Sequence, residues 1–216
     1  MSRKKAPRGF NQRVRRPGDR WLAEHPEATR VPPYWSRVRA QVIAAFEERC
    51  AYTAMWLSHD GEIDHFISIH EDRRKAYRWS NLRYAASWFN SSKQNVPSTQ
   101  ILDPFEVGDG WFEIVLPSLE LVVTDQCPES LRSKARFMLD RLGLAKGERV
   151  MRSRARFYAI YNPNDPATLA FLDQFAPLIA RAIRKQQATQ PSVGAEGERA
   201  AAGEPREDGD GGTKGG

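Results

Sequence analysis

Two cysteines in 216 residues, Cys50 and Cys127, are too few and too far apart for a disulfide framework, and they suit a reducing compartment. No apolar run approaches the ~18 residues of a membrane span. The N-terminus has no apolar signal core, so a soluble, cytoplasmic chain with no membrane partner is expected. Acids are scarce at the start: Asp19 stands alone against Arg3, Lys4, Lys5, Arg8, Arg13, Arg15, Arg16 and Arg20. Internal repeats are absent as well, which removes solenoid architectures.

What remains is basic. The formal net charge is +6, and the stretch from Ser192 to Gly216 carries six acids and three bases, which leaves +9 on the remainder. Residues 1–30 read as a flexible basic arm, with Arg13, Arg15 and Arg16 placed to track phosphates through salt-dependent contacts. The Gly-, Ala- and Glu-rich tail over 189–216 reads as disordered. The 40% hydrophobic content is enough for one core between these ends.

The stretch from Gly61 to Pro97 holds the chemistry. Cutting a phosphodiester requires an activated water, charge neutralisation on the phosphate and help for the leaving oxygen. A hard divalent cation supplies the last two and prefers oxygen ligands. Asp64 and Asn90 are oxygen donors of that kind. His65 is a base that is neutral near physiological pH, and Asn81 can orient it by carbonyl or side chain. Glu62 to Phe66 alternates polar and apolar residues as a half-buried strand does. Asp64 and His65 would point to opposite faces of a regular strand, so the strand must end or bulge there. A polar loop over 68–78, a second strand over 79–84 and a short helix over 86–94 follow. Asn90 and Lys93, three apart, share a helical face. Lys93 and Arg83 are candidate phosphate contacts. Glu62 is a further candidate ligand by strand parity, and His59 and His70 bracket the motif as loop residues.

IDHF at Ile63 to Phe66, WSNL at Trp79 to Leu82 and NSSKQN at Asn90 to Asn95 together resemble the HNH endonucleases. That resemblance implies two strands and a helix around one metal ion, Mg²⁺ or Mn²⁺. It makes His65 the general base, Asn81 the residue that holds it, and Asp64 and Asn90 the metal ligands. Many relatives of this type add a structural zinc on two CxxC pairs. Here the corresponding positions read Cys50, Thr53, Ala86 and Phe89, and one thiol cannot make a tetrahedral site. No structural zinc is expected, with apolar packing in its place. Ser68 stands where the family often has proline.

Around this core, Trp35, Val38, Val42, Ile43 and Phe46 form a helical stripe before Cys50. Trp111–Leu116 and Leu119–Thr124 read as a β-hairpin. Pro128 and Gly143 bracket a helix, an Arg-rich helix runs over 148–161, and Asp165-Pro166 starts a helical stretch that Pro177 kinks or divides. The expected fold is α+β: a ββα-metal core over 31–100 with an N-terminal helix, then a β-hairpin and C-terminal helices over 101–188. The expected function is metal-dependent endonucleolytic hydrolysis of DNA. A loose likeness of LDRLGL at Leu139 to Leu144 to HNH subunits of bacterial defence systems suggests an anti-phage effector with a protein partner. The alternative is a nucleic-acid-binding module with a decayed active site.

Overall fold

Gly61–His65 (β1) and Leu82–Ala86 (β2) pair antiparallel, with Asp64 opposite Arg83 and His65 opposite Leu82. This is a computed structural model, describing residues 5–58, 61–93 and 96–189, without the side chains of Asn90 and Ser91. β1 needs its glycine: a Cβ on Gly61 would lie 2.3 Å from the Tyr84 ring. The Gly61 N–H donates to the Tyr84 hydroxyl at 3.2 Å. β2 is buried along its whole length and divides two apolar clusters. Leu82 and Tyr84, two apart and on one face, join Phe10, Val14, Val38, Val42 and Phe46. Ala85 and Ala86 join the larger cluster, which includes Phe89, Ile101, Leu139 and Ile179.

The helix after β2 is Ser87–Lys93 (α3), close to expectation, and it packs on both strands. The second strand starts later than expected. Trp79–Asn81 is a 3-10 turn, so Asn81 precedes β2 instead of lying within a strand. The helix expected from Trp35 is likewise split into a 3-10 turn, Tyr34–Val38, and Arg39–Ala45 (α2).

The flexible arm expected over residues 1–30 is corrected. Residues 1–4 lie outside the described residues, but Asn11–Arg15 is a π-helical turn that runs into Arg16–Glu24 (α1, numbered first in the chain). Phe10, Val14 and Gly18 recur every four residues and form a narrow buried stripe. Phe10 meets Trp79 edge-on at 5.5 Å between ring centres. A Cβ on Gly18 would lie 2.2 Å from the Tyr77 ring, so glycine lets the helix lie against it. Arg78 closes the contact by donating to Asp19 at 2.7 Å.

The second half is a hairpin, Phe112–Val115 (β3) and Glu120–Val123 (β4), with four helices: Glu129–Arg141 (α4), Glu148–Tyr158 (α5), Pro166–Phe175 (α6) and Pro177–Thr189 (α7). Asp165 caps α6 by accepting from the Ala167 N–H at 2.9 Å, and Pro177 separates α6 from α7. Arg154 of the Arg-rich helix is not a surface charge. It is buried and donates to the carbonyls of Leu119, Ala145 and Leu144 at 3.0, 2.9 and 2.7 Å, tying α5 to the hairpin. Burial without a carboxylate partner pulls its pKa down to about 10. The architecture is mixed α+β. The expected disordered tail lies outside the described residues, apart from Thr189 at the end of α7. Among the described residues no helix is long and apolar enough to cross a membrane.

Candidate active site at the end of the first strand

β1 ends at His65, and that ending lets two consecutive residues serve one place. Asp64 and His65 both line a cleft of about 220 Å³, together with Ile63, Ser68, Ile69, His70 and Lys93. They reach it with different neighbours. Asp64 turns toward α3 and the loop after Cys50, where its Oδ2 accepts from the Tyr52 hydroxyl at 2.7 Å. His65 turns toward the N-terminal layer, where the Trp35 ring meets it edge-on at 4.5 Å.

His65 is 9% exposed, and its Nε2 lies 2.9 Å from the Ala76 carbonyl. A carbonyl only accepts, so Nε2 carries the proton and Nδ1 keeps the lone pair. Burial pulls the His65 pKa below its ordinary value, against the opposing pull of the Ala76 carbonyl and the Asp64 carboxylate. The ring is therefore neutral at physiological pH.

Asn81 makes no hydrogen bond to this ring. Its Oδ1 accepts from the Ile67 N–H at 2.7 Å, and its Nδ2 donates to the Ile67 carbonyl at 2.9 Å and the Lys75 carbonyl at 3.2 Å. Its own carbonyl accepts from the Phe66 N–H at 2.9 Å. The expectation that Asn81 orients the base directly is corrected: Ala76 does so, and Asn81 pins both ends of the loop that carries Ala76. The turn inside that loop is braced as well, since Asp72 N–H donates to the Ser68 carbonyl at 3.0 Å and Ser98 N–H to Glu71 Oε2 at 3.0 Å.

Of the two expected phosphate contacts, Arg83 is corrected, and Lys93 is engaged within the chain. Arg83 is fully buried and donates from Nη2 to both oxygens of Asp103 at 2.6 Å. The Phe105 ring centre lies 4.0 Å from its guanidinium carbon. It faces the other way from Tyr84 on β2, and that face is covered, so it has no surface to offer a phosphate. Lys93 lines the cleft but is only 4% exposed. Its Nζ donates to Asp64 Oδ1 at 3.0 Å, to Oδ2 at 2.8 Å and to the His65 carbonyl. Burial lowers the Lys93 pKa, and the Asp64 carboxylate beside it opposes that. Burial first, and Asp64 second, push Tyr52 well above the usual tyrosine range, so it remains a phenol donor.

Arg13, Arg15 and Arg16 are exposed on the N-terminal helix, and Arg15 pairs with Asp19 at 3.7 Å. Arg37 joins this layer to the Tyr34–Val38 turn by donating to the Arg13 carbonyl at 3.0 Å. Glu62 is exposed and absent from the cleft lining, whereas His70 belongs to it. His59 lies outside the described residues.

Asp64 offers one carboxylate of the kind a hard divalent cation takes, at a place where a cationic group, the Lys93 ammonium, already sits. Asn90 lies in α3 three residues before Lys93, and its side chain is outside the described residues. Among the described residues, no group of three or more His, Cys, Asp or Glu converges on one point. A divalent cation bound here would take its other positions from water and phosphate, as Mg²⁺ sites commonly do. Of the positions read against a zinc site, Cys50, Ala86 and Phe89 belong to one apolar cluster, in which Tyr52 stacks on Phe89 with ring centres 3.8 Å apart.

Tyr52 and Trp35 touch the candidate site without any sequence signal that marks them for it. Trp35 reads as one member of a helical stripe. Compared with protein-family models, curated proteins and solved structures, the chain matches none.

Proposed function

We propose that this protein is a metal-dependent endonuclease of the HNH type that hydrolyses phosphodiester bonds in DNA. The observation that carries the reading is His65: a buried, neutral imidazole with its tautomer set by Ala76, lining one cleft with the carboxylate of Asp64. His65 Nδ1 takes a proton from water, which attacks phosphorus in line with the leaving oxygen. Asn81 keeps Ala76 in place and so keeps the lone pair of His65 aimed. A divalent cation held by Asp64 and Asn90 would, when bound, neutralise the phosphate and stabilise the leaving 3′ oxygen. Ser68 and His70 line the same cleft and offer hydrogen-bond donors to the phosphate. The exposed arginines of the N-terminal helix hold the flanking backbone. The HNH likeness implies 5′-phosphate and 3′-hydroxyl ends. Both cysteines are buried and unpaired, in keeping with action in the cytoplasm.

One observation favours a second reading, a nucleic-acid-binding module without cleavage: both oxygens of Asp64 are already engaged by Lys93 and Tyr52. The two readings separate in one assay, purified protein with plasmid and single-stranded DNA in Mg²⁺, Mn²⁺ or EDTA. The nuclease reading expects metal-dependent cleavage, and His65→Ala to lose ~10²–10⁴-fold of it, the usual worth of a general base, with DNA binding retained. Binding without cleavage in any metal would leave the second reading.

A further inference from the structure

Asp64 is only 7% exposed, and a carboxylate so buried is costly unless it is paired. Here the partner is Lys93, the last residue of α3, whose ammonium spans both carboxylate oxygens and the carbonyl of the next residue, His65. The Phe66 ring centre lies 5.6 Å from the ammonium. Tyr52 takes a further lone pair of the carboxylate. Thus the carboxylate read above as a metal ligand is already neutralised by a cation of the chain itself. An ammonium and a divalent ion on one carboxylate would stand within ~4 Å of each other, where like charges repel strongly at any protein dielectric.

We propose that Lys93 is an internal counterion that competes with the divalent metal for Asp64. In the metal-free protein the ammonium keeps the carboxylate and the end of β1 in their working positions. Metal binding displaces it, so affinity is lowered by the cost of breaking these contacts. The lysine side chain stays tethered at the cleft wall, and the displaced ammonium becomes a cation available to the phosphate of a bound nucleic acid. Lys93 is thereby a positioning residue before metal arrives and a substrate contact afterwards. The inference rests on the reading of Asp64 as a metal ligand.

The test is Mn²⁺ binding to the full-length protein without nucleic acid, read from the electron paramagnetic resonance of free Mn²⁺. Lys93→Met is compared with wild type and with Lys93→Met combined with Asp64→Asn. Lys93→Met should bind Mn²⁺ ~10-fold or more tighter than wild type, since each tenfold corresponds to a modest loss of repulsion. The double variant should lose that gain. In EDTA, Lys93→Met should melt below wild type and regain stability with Mn²⁺; a variant that folds only with Mn²⁺ expresses the same dependence. A second measurement uses wild type alone: acetylation of intact protein should spare Lys93 in EDTA and modify it at saturating Mn²⁺. Equal or weaker Mn²⁺ binding by Lys93→Met, or protection of Lys93 unchanged by Mn²⁺, overturns the proposal. Wild-type binding with no effect of the substitution removes this inference and leaves Asp64 as a ligand. No Mn²⁺ binding by any variant removes both.

Discussion

Asn81 pairs with both backbone groups of Ile67, accepting from its N–H at 2.7 Å and donating to its carbonyl at 2.9 Å, as a neighbouring strand would. One side chain thereby closes the loop between β1 and β2, and the Ala76 carbonyl at the far end of that loop sets the tautomer of His65. Asn81→Ala would strand the N–H and carbonyl of Ile67, while the Lys75 carbonyl keeps the Arg78 N–H at 3.1 Å, and each buried unpaired group costs ~1–3 kcal/mol. The variant should unfold at lower urea, and the Ile67 amide should lose its protection from hydrogen exchange. Wild-type protection at Ile67 would show that the loop holds itself.

The burial of His65 makes stability depend on pH in the metal-free protein. Folding lowers its proton affinity, so below ~6.5, the value of an unperturbed histidine, the unfolded chain takes up a proton that the folded one refuses. The contribution is complete above that value and is lost as pH falls toward the lower folded pKa. The slope cannot exceed ~1.4 kcal/mol per pH unit for one group. Urea midpoints in EDTA should fall between pH 7.5 and 5, and those of His65→Gln should fall less. Parallel curves would mean that other groups set the slope.

The N-terminal helix should separate into two functions on mutation. Phe10 is buried, and Phe→Ala in a core costs ~3–5 kcal/mol. Phe10→Ala should therefore lower the melting temperature. Neutralising exposed Arg13, Arg16 and Arg20 to Ser should leave melting nearly unchanged and flatten the salt dependence of DNA binding, by ~0.9 in log–log slope for each phosphate that is no longer neutralised. An unchanged slope would assign these arginines to solvent alone.

For Arg83, the expectation is structural. Asp103→Asn leaves a guanidinium buried with only the carbonyls of Ser80 and Leu82 and a neutral amide where the carboxylate stood, and breaking such a pair from one side costs ~3–5 kcal/mol. Arg83→Met with Asp103→Leu should recover most of that stability, because no charge is left buried. Denaturation of the two variants decides it. A double variant as unstable as the single would point to a role beyond the ion pair.

The order of elements was legible because it rests on local rules. Alternation marked β1 and the hairpin, and Pro166, Pro177 and Gly143 marked helix boundaries through fixed φ, a missing N–H or left-handed backbone. The grouping of Asp64 and His65 at a strand end also followed from local geometry. Burial did not. Arg13 and Arg83 are the same residue type in equally unremarkable surroundings, yet one faces solvent and the other faces Asp103. Phe10, Val14 and Gly18 looked too sparse for a core among so many arginines, because their value depends on Tyr77 and Trp79 arriving from about sixty residues away. Residue type and spacing thus mark β1, the hairpin and the helix boundaries that proline and glycine set. Which charge is spent inside the fold, and that Lys93 rather than solvent meets Asp64, depend on through-space distances that no local pattern encodes.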